Sequence, residues 1–314
     1  MKPDGSILLL TTATGFGYGL IAWLGLAAAV HPLPPAHFLR LVPWGTGVGL
    51  VLVSAGLLAS VFHLGNKGPA WRAFTQWRSS WLSREGVAAL ASYPVILGFA
   101  WIAMGGEHPL LTRLLGLAVL IASLGTVYCT SMIYASLKPI RQWHNAHTAP
   151  DYLLFALFSG AVLQALLRTL LLGAPGVAAS ATAAGAAALA LIAKQAYWHH
   201  IDRGRPLATL ASALGLPEGT MVKPLDAPHF TENFILREMG FAIARRHAAK
   251  LRRLVLMIAF VLPLLLSILG GVPIAPGAST GLAVLCAALG LLMERWLFFA
   301  EATHVSALYY GRRI

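Results

Sequence analysis

The chain has 314 residues, of which 58% are hydrophobic and 11% charged, and its formal net charge is +12. A soluble domain usually carries about 25% charged residues, so this composition excludes an ordinary soluble fold and points to a protein that lives in lipid. The positive charge would suggest nucleic acid in a soluble protein; here the retention of basic residues on one membrane face and the attraction of anionic head groups account for it, and no nucleic-acid partner is expected.

In chain order, apolar stretches at 7–30, 42–63, 87–104, 114–135, 152–172, 177–193, 254–271 and 281–300 are candidate spans. Each is long enough to cross a hydrocarbon core of about 30 Å at 1.5 Å per residue. The first follows MKPDG, is too long for a signal peptide and lacks a clear cleavage site, so it reads as a spanning helix. The sixth, VAASATAAGAAALALIA, is weak in hydropathy, but its Ala and Gly suit close helix packing. The expected fold is all-α: a polytopic membrane protein of about eight transmembrane helices, forming a single domain over 1–314.

The connections alternate between two sides, and the basic residues do not divide evenly. One side collects Lys2, Lys67, Arg72, Arg78, Arg84, Lys138, Arg141, Lys194, Arg203, Arg205, Lys223, Arg237, Arg245, Arg246, Lys250, Arg252, Arg253, Arg312 and Arg313. The other has Arg40 and Arg113, with Arg168 nearby. By the positive-inside bias, both termini are expected in the cytoplasm. The inner connections, 66–86, 136–151 and 194–250, are the elaborate ones and suit a partner docking from inside the cell. Within the longest, Phe234, Ile235, Met239, Ala242 and Ile243 recur at helical spacing and predict a helix.

Cys129 and Cys286 lie within apolar stretches, and the chain has no CxxC. Two cysteines hold neither a structural zinc nor an iron–sulfur cluster, so no metal ligands are expected in this chain. No haem is expected either. None of the histidines lies deep in a span, and His63 and His304 sit at inner ends. His63 ends the second span in VFHLG, while Arg72 and Glu85 follow in the first inner connection. A His near a carboxylate suits a quinol, one group bonding the ring oxygen and the other relaying its proton. The alternative is that His63 and Glu85 are interfacial residues in water and that Arg72 is one more inner positive charge.

The eighth span carries Glu294 and Arg295 in an apolar helix, where ions are costly enough to be functional candidates. Glu294, Glu301 and His304 fall near one helix face and are candidate proton-relay residues; pairing of Glu294 with an Arg from another helix is the structural alternative. Arg168, a turn from Gln164, reads as snorkelling to the outer head groups. Tyr134, near the inner end of the fourth span, could hydrogen-bond a quinone ring. Trp143 and the aromatic residues of 66–86 serve equally well as an interface belt.

The order HLG, RAF, LS-x-E before the third span, then Tyr, Pro and Trp after the fourth, and a last span with Glu, Arg and aromatics resembles the anchor subunit of dimethyl sulfoxide reductase and its relatives over essentially the whole chain. One departure from that pattern is the insertion of KGP, or neighbouring residues, between HLG and RAF. The resemblance implies a haem-free anchor that binds quinone and exchanges electrons with an iron–sulfur subunit, itself joined to a catalytic subunit with a molybdenum cofactor. It maps the quinone site onto His63, Arg72 and Glu85; no catalytic residue is expected in this chain. ERWLFFAEATHVSALYYG and EMGFAIARRHA are similar to the anchor of cytoplasm-facing sulfite dehydrogenase. That likeness, with the charge bias, implies partners on the cytoplasmic face of a bacterial inner membrane, and sulfite oxidation with quinone reduction. The competing readings are an anchor for an S- or N-oxide reductase running from quinol, a transporter without redox partners, and a structural anchor that binds no quinone.

Overall fold

A computed structural model describes residues 3–30, 35–63, 68–204, 206–217, 219–222, 225, 247–272 and 275–310. Eight helices long and apolar enough to cross a membrane make up the body. They are α1 (Gly5–Val30), α2 (Pro35–His63), α3 (Trp81–Gly105), α4 (Pro109–Ala135), α5 (Thr148–Leu172), α6 (Val177–Arg203), α7 (Ala248–Gly270) and α8 (Pro276–Ala300). No strand occurs among the described residues. A 3-10 segment, Gly68–Gln76, joins α2 to α3 and packs on α3. The expected helix over 234–243 lies outside the described residues.

Helices α1 and α5 are the most buried of the eight and form the axis of the bundle. Apolar attraction between helices is weak in lipid, so close packing decides which helices meet. At the α1/α5 crossing, Gly19 and Gly160 face each other so closely that a Cβ on either would collide with the opposing backbone, that of Ala156 or of Gly19. Gly290 on α8 meets the backbone of Ala259 on α7 in the same way. Ala259 belongs to a π-helical turn, Leu256–Val261, just before Pro263. Proline offers no N–H to the preceding turn and its ring crowds that turn's carbonyl, which favours such a widening. The outward faces carry large exposed apolar side chains, such as Leu90, Leu97 and Trp101 on α3, as a lipid-facing surface requires.

With eight passes, the start of α1 and the end of α8 fall at the same end of the bundle. Contacts there join the ends of α4, α6 and α8 and the start of α7. Gln142 Nε2 donates to Thr303 Oγ1 at 2.8 Å, Tyr197 Oη to the Gln142 carbonyl at 2.9 Å, and the Val305 amide to the Pro139 carbonyl at 3.1 Å. This is the basic end.

The helices outrun the apolar stretches at this end. Trp81–Gly86, assigned from sequence to a connection, is the start of α3; Thr148–Asp151 opens α5; Lys194–Arg203 completes α6. A helix satisfies its own backbone and can continue past the point where its residues cease to be uniformly apolar. These extensions carry the polar residues of the candidate site into the bundle.

Candidate functional site

Helix α3 starts at a capped end, where Ser80 Oγ accepts from the Ser83 amide at 3.5 Å. From that start Ser83, Glu85, Ala89, Ser92 and Ile96 are buried, so Glu85 sits on the inward side in the second turn. It is 5% exposed, and its Oε1 accepts from Thr130 Oγ1 of α4 at 2.6 Å. Among the described residues no cation lies within ion-pair distance of Glu85. A buried carboxyl held by one hydroxyl can take up or release a proton with little rearrangement.

The 3-10 segment brings Phe74 against α3 beside Glu85. A Cβ on Gly86 would meet Phe74 Cε1 at 2.8 Å, so the glycine makes room for the ring. The link between segment and helix is fastened by Arg84. Its Nε donates to the Trp77 carbonyl at 2.9 Å, its Nη2 to the Arg78 carbonyl at 2.6 Å, and its guanidinium lies 4.2 Å from the Trp81 ring centroid.

Of the residues expected at a quinone site, the structure brings Glu85 and Tyr134 to one region towards the basic end of the bundle. Tyr134 is one turn along α4 from Thr130 and is buried in an aromatic cluster. Its ring centroid is 5.3 Å from that of Trp143, 5.9 Å from Tyr152, 5.7 Å from Phe298 and 5.3 Å from Phe299. Arg72 is exposed and lies 5.7 Å from the Trp71 centroid, with no bond to Glu85. His63 is the last residue of α2, and its side chain lies outside the described set.

Next to the aromatic cluster is a buried ionic centre. Lys194 Nζ of α6 lies 2.5 Å from Glu294 Oε1, and Arg295 Nε is 3.1 Å from Glu294 Oε2. The Arg295 guanidinium also covers Tyr152, 3.8 Å from its ring centroid, while Lys194 Nζ is 4.0 Å from that of Tyr197. Asp151, in the first turn of α5, is 5% exposed and shares the field of Lys194, Glu294 and Arg295; its Oδ1 has no hydrogen-bond partner. Closer to the basic end, Arg252 bridges Glu301 at 2.8 Å and Asp202 at 2.7 Å, and His304 Nδ1 pairs with Ser306 Oγ at 2.8 Å. Glu294, Glu301 and His304 therefore each engage a separate partner, and no bond links them along α8.

Sequence reasoning missed Thr130, Asp151, Tyr152 and Lys194. A signal for the last was present: Glu294 in an apolar helix requires a counter-charge, and Lys194 sits between the apolar run LALIA and the aromatics of QAYW.

The DMSO reductase anchor subunit (DmsC) family matches residues 34–310. The chain belongs to that family. It is 34% identical to the sulfite dehydrogenase C subunit of Allochromatium vinosum, over 99% of both chains. It is also 32% identical to Anaerobic dimethyl sulfoxide reductase chain YnfH of Escherichia coli K12, over 37% of this chain and 41% of that one. No solved structure matches. The anchor is thus an integral membrane subunit of an oxidoreductase family, and its described residues contain no cluster of three or more side chains able to hold a metal ion.

Proposed function

We propose that this anchor passes electrons between an iron–sulfur partner subunit and membrane quinone, within a molybdenum complex that oxidises sulfite to sulfate. The observation that carries the quinone role is Glu85: a buried carboxyl bonded to Thr130, on the helix that follows the connection bearing Arg72, with His63 ending the helix before it. Quinone reduction takes up two electrons and two protons. A carboxyl in contact with the quinone oxygen supplies a proton as the electrons arrive. His63 and Arg72 bind and orient the ring oxygens, and Tyr134 closes the inner wall. Glu301 and His304 act at the basic end, where protons enter, and Glu294 acts deeper, in the ionic centre with Lys194 and Arg295.

Sulfite as the partner's substrate is supported by the similarity to the sulfite dehydrogenase C subunit along the full chain. The concentration of basic residues at one end supports a cytoplasmic orientation of that end in a bacterial inner membrane, with the iron–sulfur and molybdenum subunits docked there. Protons would then be taken from the side on which sulfite is oxidised, and turnover need not move charge across the bilayer. The shorter match to the dimethyl sulfoxide reductase chain favours a second reading, in which quinol is oxidised and an S- or N-oxide is the partner's substrate.

The test is purification from native membranes in mild detergent, with identification of co-purifying subunits and metals and an assay of sulfite-dependent quinone reduction. Molybdenum, an iron–sulfur protein and sulfite:quinone activity together are the expected result. A molybdenum complex that ignores sulfite and oxidises quinol with an S- or N-oxide supports the second reading. A lone protein without metal contradicts both.

A further inference from the structure

If Glu85 hands its proton to a quinone oxygen it must be reprotonated before the next turnover, and the buried groups behind it bear on how. A cavity of about 20 Å³ lies between α1, α4, α5 and α8, lined in part by Thr12, Thr14, Thr130, Tyr152, Ser159 and Arg295. That is room for about one water molecule. The wall includes Thr130, whose hydroxyl holds Glu85. Thr12 Oγ1 and the Tyr152 hydroxyl are buried and have no hydrogen-bond partner among the described residues, so the cavity offers a water polar contacts on more than one side.

The far wall is Arg295, which belongs to the ionic centre. That centre has two cations, Lys194 and Arg295, and two carboxyls, Glu294 and Asp151. Both cations are ion-paired with Glu294. Asp151 is left without an ion pair but within the field of both cations. Such a carboxyl is tolerated in either protonation state: neutral because no ion-pair partner requires its charge, and ionised because the surrounding cations balance it. The basic end is close by. Asp151 donates its backbone amide to the carbonyl of His147, one turn earlier, at 2.9 Å. His147 is half-buried, and its ring lies 5.0 Å from that of His200 beside an open groove also lined by His199 and Arg203.

We propose that Asp151, set in the Lys194–Glu294–Arg295 centre, is the proton reservoir for Glu85. The O–H bond of the Asp151 carboxyl breaks, and a proton is passed by way of the cavity water and the Thr130 hydroxyl to form an O–H bond on the Glu85 carboxylate, while Lys194 and Arg295 balance the charge left on Asp151. Asp151 then regains a proton from solvent at the basic end, past His147. One proton leaves and one arrives, and no electron moves in this step. The proposal rests on the quinone reading above and adds to it a residue that touches neither quinone nor metal.

The experiment uses the intact complex with its partner subunits, assayed with a short-chain ubiquinone analogue and, separately, with an artificial dye that takes electrons from the soluble partner. Asp151→Asn is expected to slow quinone reduction about tenfold or more at saturating quinone, with KM for quinone unchanged and the dye rate unchanged. Asp151→Glu is expected to recover much of the rate and to show a larger solvent deuterium isotope effect than the wild type. Quinone reduction by Asp151→Asn within about twofold of wild type, or a change confined to KM, overturns the reservoir and leaves the quinone reading intact. If Asp151→Asn does not assemble, as judged by co-purifying subunits, Asp151→Glu decides by itself: an isotope effect equal to that of the wild type overturns the proposal. A wild-type complex that reduces dye but no quinone overturns the underlying quinone reading instead.

Discussion

Lys194 Nζ and Glu294 Oε1 lie 2.5 Å apart, 100 residues apart in the chain, with both side chains 1% exposed. The pair fastens α6 to α8 inside the apolar bundle, and Arg295 supports it from the same helix as Glu294. Such a pair contributes little net stability compared with apolar residues of the same size, but removing one partner leaves an uncompensated buried charge. Glu294→Gln leaves two buried cations without their shared carboxylate and is therefore expected to destabilise the anchor by about 3–5 kcal/mol, and Glu294→Gln with Lys194→Met by less than Glu294→Gln alone. Thermal unfolding in detergent measures both. A double variant less stable than the single one would contradict the pairing.

The α1/α5 axis depends on Gly19 and Gly160 having no side chains. Gly160→Val places a branched side chain where the structure has only the backbone of Gly19 and Leu20, so the two helices must separate. The expected cost is at least about 1–3 kcal/mol, the usual range for overpacking a core. Gly98 has open space around it, and Gly98→Ala is the control, expected to have little effect. Comparing the yield of folded anchor by size-exclusion chromatography checks both.

Gly86, next to Glu85 in the chain, makes room for the Phe74 ring, because a Cβ there would meet Phe74 Cε1 at 2.8 Å. Gly86→Val is expected to push Phe74 and the 3-10 segment away from α3 without touching Glu85 or Thr130. Quinone KM should rise while dye-linked activity of the partner stays unchanged, and steady-state kinetics on the intact complex read this directly.

His147 lies outside the spanning segments. Burial lowers its pKa from the ordinary 6.5, and the adjacent His200 lowers it further. The folded state therefore holds the ring neutral where an unfolded chain would already protonate it. Stability from this group is fully present above the unfolded pKa and is lost as pH falls through the folded one. Unfolding followed from pH 7.5 downward is expected to show a weakening near and below about 6.5 that is reduced in His147→Asn.

The eight spans were legible in the sequence because lipid requires long apolar runs, and that signal is local. Their ends on the basic side of the bundle were not. Thr148–Asp151 and Lys194–Arg203 read as connection, since hydropathy falls before the helix does. That error hid Asp151, which fell at the edge of a connection, and Lys194, counted among the basic residues of one face, although both are buried. Glu294 and Arg295 stood out as ions in an apolar helix, but the cation across from Glu294 comes from α6, and no pattern along α8 reveals it. Likewise Glu85 could be named from its motif, whereas its bond to Thr130 spans 45 residues and exists only once α3 and α4 pack. The proposed line along α8 relied on helical spacing alone. In the fold, Glu301 turns to Arg252 and His304 to Ser306.

The contact between Thr130 and Glu85 adds a graded expectation. Thr130→Val removes one hydrogen bond to a buried carboxyl while preserving shape. The usual net worth of such a bond, about 0.5–1.5 kcal/mol, sets the smallest loss expected in quinone reduction, roughly two- to tenfold, and interruption of the proposed relay through the same hydroxyl carries the loss further.

The central claim, that quinone reacts at this chain beside Glu85 and His63, is tested most directly by one paired assay. Intact complexes bearing Glu85→Gln or His63→Ala would be measured for sulfite-dependent reduction of quinone and, in parallel, of an artificial dye that bypasses the anchor. Both variants are expected to lose quinone reduction by about a hundredfold or more while keeping the dye rate of the wild type. Quinone reduction retained at the wild-type rate in both variants, with the dye rate also intact, would contradict it.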